Sequence, residues 1–174
     1  SKAHSYAQRH GVPRVYPDAE ALLADREIDA VYIATPPAEH KALTLLAAAA
    51  GKHVYVEKPM AMNHAQCEEM MEACERAGVR LFVAYYRRAM PRFLKVKEWI
   101  EQGAIGTVCS VNVLQRKKPA PEELARETLP WRLRAEISGG GKILDMGVHV
   151  LDILVFWFGS ITEVHGAASN RAGL

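Results

Sequence analysis

The run AVYIATPPAEHKALTLLAAAAGKHVYVEKP, residues 30–59, decides the fold. It opens with a short β-forming segment, Ala30-Val31-Tyr32-Ile33-Ala34, and closes with a second, His53-Val54-Tyr55-Val56. Such segments rich in Val, Ile and Tyr read as strands. Between them the residues over ~38–50 are dense in Ala and Leu and stop at Gly51, where glycine is the expected left-handed cap of a helix. Strand, helix, strand in this order is a parallel βαβ unit. Neither strand alternates cleanly between apolar and polar, as expected of strands covered on both faces.

Working outward, a third β-forming run, Arg80-Leu81-Phe82-Val83-Ala84, continues the same period. The helix before it, ~64–77, starts behind Asn63 with Gln66 three residues later, a capping-box pattern, and stops at Gly78. Upstream, helices are expected over ~1–10, ended by Gly11, and over ~19–25 with Asp18 as N-cap. A further helix over ~91–102 lies between Pro91 and Gly103. After Gly103 the pattern changes. Thr107 to Leu114 alternates like a strand, residues ~115–137 form a polar loop long enough for a lid or binding loop, an apolar helix spans ~142–158, and Ile161 to Ala167 reads as another strand. A domain boundary falls near 103–107, dividing the chain into residues 1–104 and 105–174.

Composition narrows the function classes. The chain has 174 residues, 49% hydrophobic and 24% charged, with a net charge of +2, ordinary for a globular protein. No basic block stands out and aromatic content is 7%, which gives nucleic-acid binding no support. The apolar run Ile153 to Phe158 is far too short for a membrane span, and Ser1-Lys2-Ala3-His4 does not open a signal peptide. Cys67, Cys74 and Cys109 show no C-x-x-C spacing, and Cys67 and Cys74 read as small core residues on one helix face. A reducing cytoplasm is the expected setting. The chain starts without Met, as if inside a helix, and stops just after a strand, so a longer parent chain is expected.

Three features carry chemistry. Glu57-Lys58-Pro59 stands at the carboxyl end of a parallel strand, where ligands of open α/β sheets bind. Thr35-Pro36-Pro37 ends the preceding strand, with His40 in the first turn of the next helix. Gly139-Gly140-Gly141 leads into Asp145, His149 and Asp152, spaced i, i+4, i+7. At ~100° per residue these three share one stripe of an otherwise apolar helix, and ionisable groups facing inward from such a helix mark a functional-site candidate. The stripe could instead be a structural network, or ligate a divalent ion; no second His or Cys cluster supports the metal, and none is expected.

These pieces, together with Tyr85-Tyr86-Arg87-Arg88 after the third strand and Trp131-Arg132 in the long loop, resemble the Gfo/Idh/MocA family of NAD(P)-dependent oxidoreductases. Order and spacing agree over essentially the whole chain. The resemblance implies an α/β fold: residues 1–104 as the C-terminal part of a Rossmann domain with a parallel sheet, and 105–174 as the first part of an α/β substrate and oligomerisation domain. It implies NAD or NADP as cofactor and hydride transfer at a secondary hydroxyl or carbonyl of a sugar, cyclitol or related polyol. It also implies a homo-oligomer, dimer or tetramer, with no nucleic-acid or membrane partner. Lys58, Asp145 and His149 are implied around the reacting carbon: His149 as acid/base, Lys58 as electrostatic partner or itself the proton donor, and Asp145 orienting the imidazole or bonding substrate. Thr35, Pro36, His40, Glu57, Lys58, Pro59, Trp131 and Arg132 are implied to line the cofactor. An NAD-dependent glycoside hydrolase and a non-catalytic sugar- or dinucleotide-binding regulator remain the alternatives on this scaffold. Two departures stand out. Tyr86 occupies a position where many relatives carry Asn. The 174 residues contain no G-x-G-x-x-G loop, the pyrophosphate cradle, so the chain by itself is expected to hold NAD(H) poorly.

Overall fold

A computed structural model describes residues 2–141 and 143–169. Three parallel strands, β1 (Ala30–Ile33), β2 (His53–Val56) and β3 (Leu81–Val83), form one sheet in the order β1-β2-β3. The register aligns Ile33 with Val56 and Val83, and Tyr32 with Tyr55 and Phe82. Side chains alternate across a strand, so Ile33, Val54 and Val56 share one face and are buried, while Tyr32, Tyr55 and Phe82 form an exposed aromatic row on the other. This corrects the expectation of strands covered on both faces: among the described residues only one face is covered.

Helices α3 (Pro37–Ala49) and α4 (His64–Arg76) cover that face. Their Ala47, Ala48, Met70 and Cys74 interlock with Val54, Val56 and Leu23; full burial of a side chain such as Met70 is worth about 2 kcal/mol. The helix ends follow the sequence. Asp18 caps α2 (Ala19–Leu23) by accepting from the Ala21 N–H at 2.7 Å. Asn63 caps α4 through the Gln66 N–H at 3.0 Å, and the Gln66 amide oxygen reaches back to the Met62 N–H at 3.2 Å, one residue beyond the usual box. Two further helices, α1 (Lys2–His10) and α5 (Pro91–Glu101), also lie where the sequence put them.

Beyond Gly103 the outcome differs. Residues 107–114 and 161–167 form no strand. A strand exists only through its ladder partner, and none pairs with these segments among the described residues, so Val113, Leu114 and Val164 stand exposed. The polar loop is organised into three single 3₁₀ turns and a short helix, α6 (Ala135–Ser138), packed on α3. The expected helix over 142–158 is split into a π-helical turn over Ile143–Gly147 and α7 (Val148–Phe158). α7 docks on α5: the Trp157 indole N–H donates to the Phe93 carbonyl and the Lys97 ammonium to the Phe156 carbonyl, both at 3.0 Å. His149 and Asp152 share the buried face of α7 with Ile153, while Leu151 and Phe158 are exposed. Among the described residues no helix is long and apolar enough to cross a membrane.

Candidate functional site

The carboxyl ends of β1 and β2 open into a cavity of about 270 Å³, walled by Ala34, Thr35, Pro37, Glu57, Lys58, Pro59, Trp131, Arg132, Ser138 and Asp145. Four elements build it. The strand ends supply Thr35 and Glu57-Lys58-Pro59, the 3₁₀ turn over Trp131–Leu133 brings Trp131 and Arg132, and the π turn brings Asp145.

Lys58 is the hub. Its ammonium donates to the Asp145 carboxylate Oδ1 and to the Asp145 main-chain oxygen, both at 2.8 Å. The lysine side chain is 16% exposed and that of Asp145 28%. Charge-assisted bonds in such partly desolvated surroundings fix an ammonium far better than a surface pair does. The second Asp145 carboxylate oxygen, Oδ2, lies 4.0 Å from Arg132 Nε, and the Arg132 guanidinium rests over the Trp131 ring at 4.6 Å. Glu57 pins the floor: Oε2 accepts from the Lys58 backbone N–H at 3.0 Å and Oε1 from the Tyr32 hydroxyl. That bond to Glu57, reinforced by burial, pushes the Tyr32 phenol up to about 12. The Lys58–Pro59 peptide bond is cis.

Gly139 and Gly140 are glycines for lack of space. Gly139 has φ +81°, and a Cβ on it would sit 3.0 Å from Leu144 Cδ1 and 3.1 Å from the Met62 carbonyl oxygen. Only a residue without Cβ lets α6 turn into the π segment so close to the Met62 backbone.

Of the ten residues singled out from sequence, seven converge on this cavity: Thr35, Glu57, Lys58, Pro59, Trp131, Arg132 and Asp145. Pro36 does not line it; it caps α3, and Pro37 takes its place in the wall. His40 is a correction. It is fully buried, with Nδ1 2.9 Å from the Pro59 carbonyl oxygen and Nε2 2.9 Å from that of Thr35. It sits beneath the rims of β1 and β2, where its single N–H as a neutral imidazole donates to one of these two carbonyl oxygens, and does not face the cavity.

His149 lies near but outside the cavity wall. It is 4% exposed, and burial is the largest cause of a pKa below the ordinary 6.5, followed by the nearby Lys58 and Arg87 cations; Asp145 and Asp152 oppose them. The imidazole is therefore neutral at neutral pH. Asp145 does not orient it, because its carboxylate is taken by Lys58 and faces Arg132. A π turn takes more than 3.6 residues, so the stripe drawn at helical spacing breaks between Asp145 and His149. Asp152 is taken as well: Arg88 Nε and its terminal NH2 nitrogen meet Oδ1 at 2.8 and 2.6 Å.

Sequence reasoning passed over Ser138, buried in the wall with its hydroxyl accepting from the Gly141 N–H at 3.1 Å; its place before the glycine triplet was the available signal. It also left Tyr85 and Tyr86 without a role, though both rings meet His149 edge-on, at 6.5 and 5.2 Å.

Comparison with known proteins places the chain among relatives. Residues 1–85 match the model of an oxidoreductase family with an NAD-binding Rossmann fold, and residues 93–173 match the GFO/IDH/MocA C-terminal domain. An oxidoreductase of Formosa agariphila is 39% identical over 94% of this chain and 51% of its own length. The 1,5-anhydro-D-fructose reductase of Ensifer adhaerens is 34% identical over 98% of this chain and 50% of its own. Among solved structures, levoglucosan dehydrogenase in complex with NADH and levoglucosan superposes with a TM-score of 0.76 at 28% identity, over 91% of this chain and 42% of that one. The chain spans about half the length of the curated relatives it matches.

Proposed function

Since the chain belongs to the GFO/IDH/MocA oxidoreductase family, we propose that it serves an NAD(P)-dependent oxidoreductase acting on a secondary hydroxyl or carbonyl of a sugar, cyclitol or related polyol. One observation carries the reading: the Lys58 ammonium held by Asp145 inside a cavity at the carboxyl rim of a parallel sheet. The residues present fit the nicotinamide end of a dinucleotide. At about 270 Å³ the cavity takes a small ring and its substituents, below the usual range for whole drug-sized ligands. Thr35, Glu57, Pro59, Trp131 and Arg132 would hold that end. Bound nicotinamide would supply the acceptor or donor for the carbon-bound hydrogen.

The protein supplies the rest. Lys58 has a third N–H beyond the two engaged by Asp145, and it lines the cavity. It can donate to a substrate oxygen and stabilise charge as an alkoxide develops. Neutral His149 takes the hydroxyl proton in oxidation and returns it in reduction. The reading includes a homo-oligomer, supported by the exposed apolar residues Val113, Leu114 and Val164, which a subunit interface would cover.

The test is absorbance at 340 nm on the full-length protein that carries these residues, with millimolar NAD⁺ or NADP⁺ and levoglucosan or myo-inositol. Turnover is expected in the wild type and to fall about 100-fold in Lys58→Ala and in His149→Ala. Unchanged turnover in both variants overturns the proposal.

A further inference from the structure

His149 is buried, yet among the described residues neither ring nitrogen has a hydrogen-bond partner. Both nearby carboxylates are engaged, Asp145 by Lys58 and Asp152 by Arg88. A catalytic imidazole is commonly held by a carboxylate or carbonyl on its second nitrogen; here that device is missing. Two aromatic rings pack against the imidazole. Tyr86 approaches at 5.2 Å between centroids with planes at 70°, and Tyr85 at 6.5 Å and 83°. Edge-to-face geometry matches the positive rim of one ring to the negative face of the other and is directional.

We propose that Tyr86, with Tyr85 beside it, is the positioning residue of His149, fixing the imidazole through ring packing where no hydrogen bond holds it. Tyr86 is itself 53% exposed while the imidazole it packs against is 4% exposed. The bracket is built by local chain geometry. β3 ends at Val83, Tyr85 follows, and the 3₁₀ turn Tyr86–Ala89 points Arg88 to Asp152 on the same helix that carries His149. The charged and titratable groups around the ring are Lys58 from the end of β2, Arg87 and the tyrosines from the turn after β3, Asp145 from the π turn and Asp152 from α7. Removing the Tyr86 ring changes none of these charges; it admits water.

This rests on the reading of His149 as proton carrier, but its test does not need turnover. The His149 ring is titrated by NMR in the labelled wild type, Tyr86→Phe and Tyr86→Ala. The wild type and Tyr86→Phe are expected to titrate below the ordinary 6.5 and to show cross-relaxation between the residue-86 ring and the imidazole. Tyr86→Ala is expected to move up toward 6.5, because the share of the depression due to burial is relieved. An unmoved midpoint in Tyr86→Ala overturns the proposal, and so does a Tyr86→Phe that moves as far as Tyr86→Ala, since the hydroxyl would then be the agent. Absent turnover with the expected titrations would sink the proposed function and leave this one standing.

Discussion

Gly139 shows how a single absent methyl group shapes the site. The residue sits at φ +81° with the Met62 backbone and Leu144 already at contact distance from where a Cβ would go. Gly139→Ala is expected to cost about 1–3 kcal/mol, from left-handed strain plus overpacking, read as a lower urea midpoint at unchanged slope. The loss comes with displacement of Ser138 and the π turn, so ligand affinity should weaken alongside stability. Lys58 illustrates the opposite case, a residue whose meaning comes from what is added. Its ammonium would be an ordinary surface charge without the Asp145 oxygens at 2.8 Å.

Elements transmit that local order. The turn after β3 and helix α7 are joined by Arg88 and Asp152, whose carboxylate is only 5% exposed while the arginine remains 45% exposed. Arg88→Met strands a buried carboxylate and is expected to lose about 2–3 kcal/mol, the lower end for a buried pair because one partner is half in water. Chemical denaturation checks it, and Asp152→Asn in the same background should recover part of the loss. The elements that the sequence disclosed are those decided locally. The βαβ unit over 30–59 was legible because its strands, the Ala-rich helix and Gly51 are each marked by near neighbours, and Asn63 and Asp18 name their own helix starts. Residues 107–114 were misread because alternation marks a surface suited to pairing but cannot supply the partner. Asp145 fell off its stripe because residue spacing does not reveal a π turn. His40 could not be sorted, since a histidine in the first turn of α3 suits a buried tie and a ligand wall equally well; only its two carbonyl neighbours decide.

At the scale of the whole molecule, acid should act in two stages. His149 titrates below 6.5 when folded, mainly because it is buried. The unfolded chain therefore takes up that proton more readily, and stability falls as pH drops through about 6.5. Asp25 is held down to about 2 by hydrogen bonds from the Tyr16 hydroxyl, the Glu27 N–H and Arg14. Its contribution is present above its ordinary value of 3.8 and disappears as pH falls toward 2. Urea midpoints measured from pH 8 to 2 should decline in both windows, with His149→Gln removing the upper step and Asp25→Asn the lower.

The grip on Lys58 reaches further than one ion pair. One of its two anchors is a peptide oxygen rather than a side chain. Peptide oxygens are written identically at every position, so mutation cannot erase that anchor by changing a letter; it must unwind the turn. The place of the positive charge is thus inherited with the path of the backbone, and sequences that drift at position 145 can keep it as long as the chain still bends there.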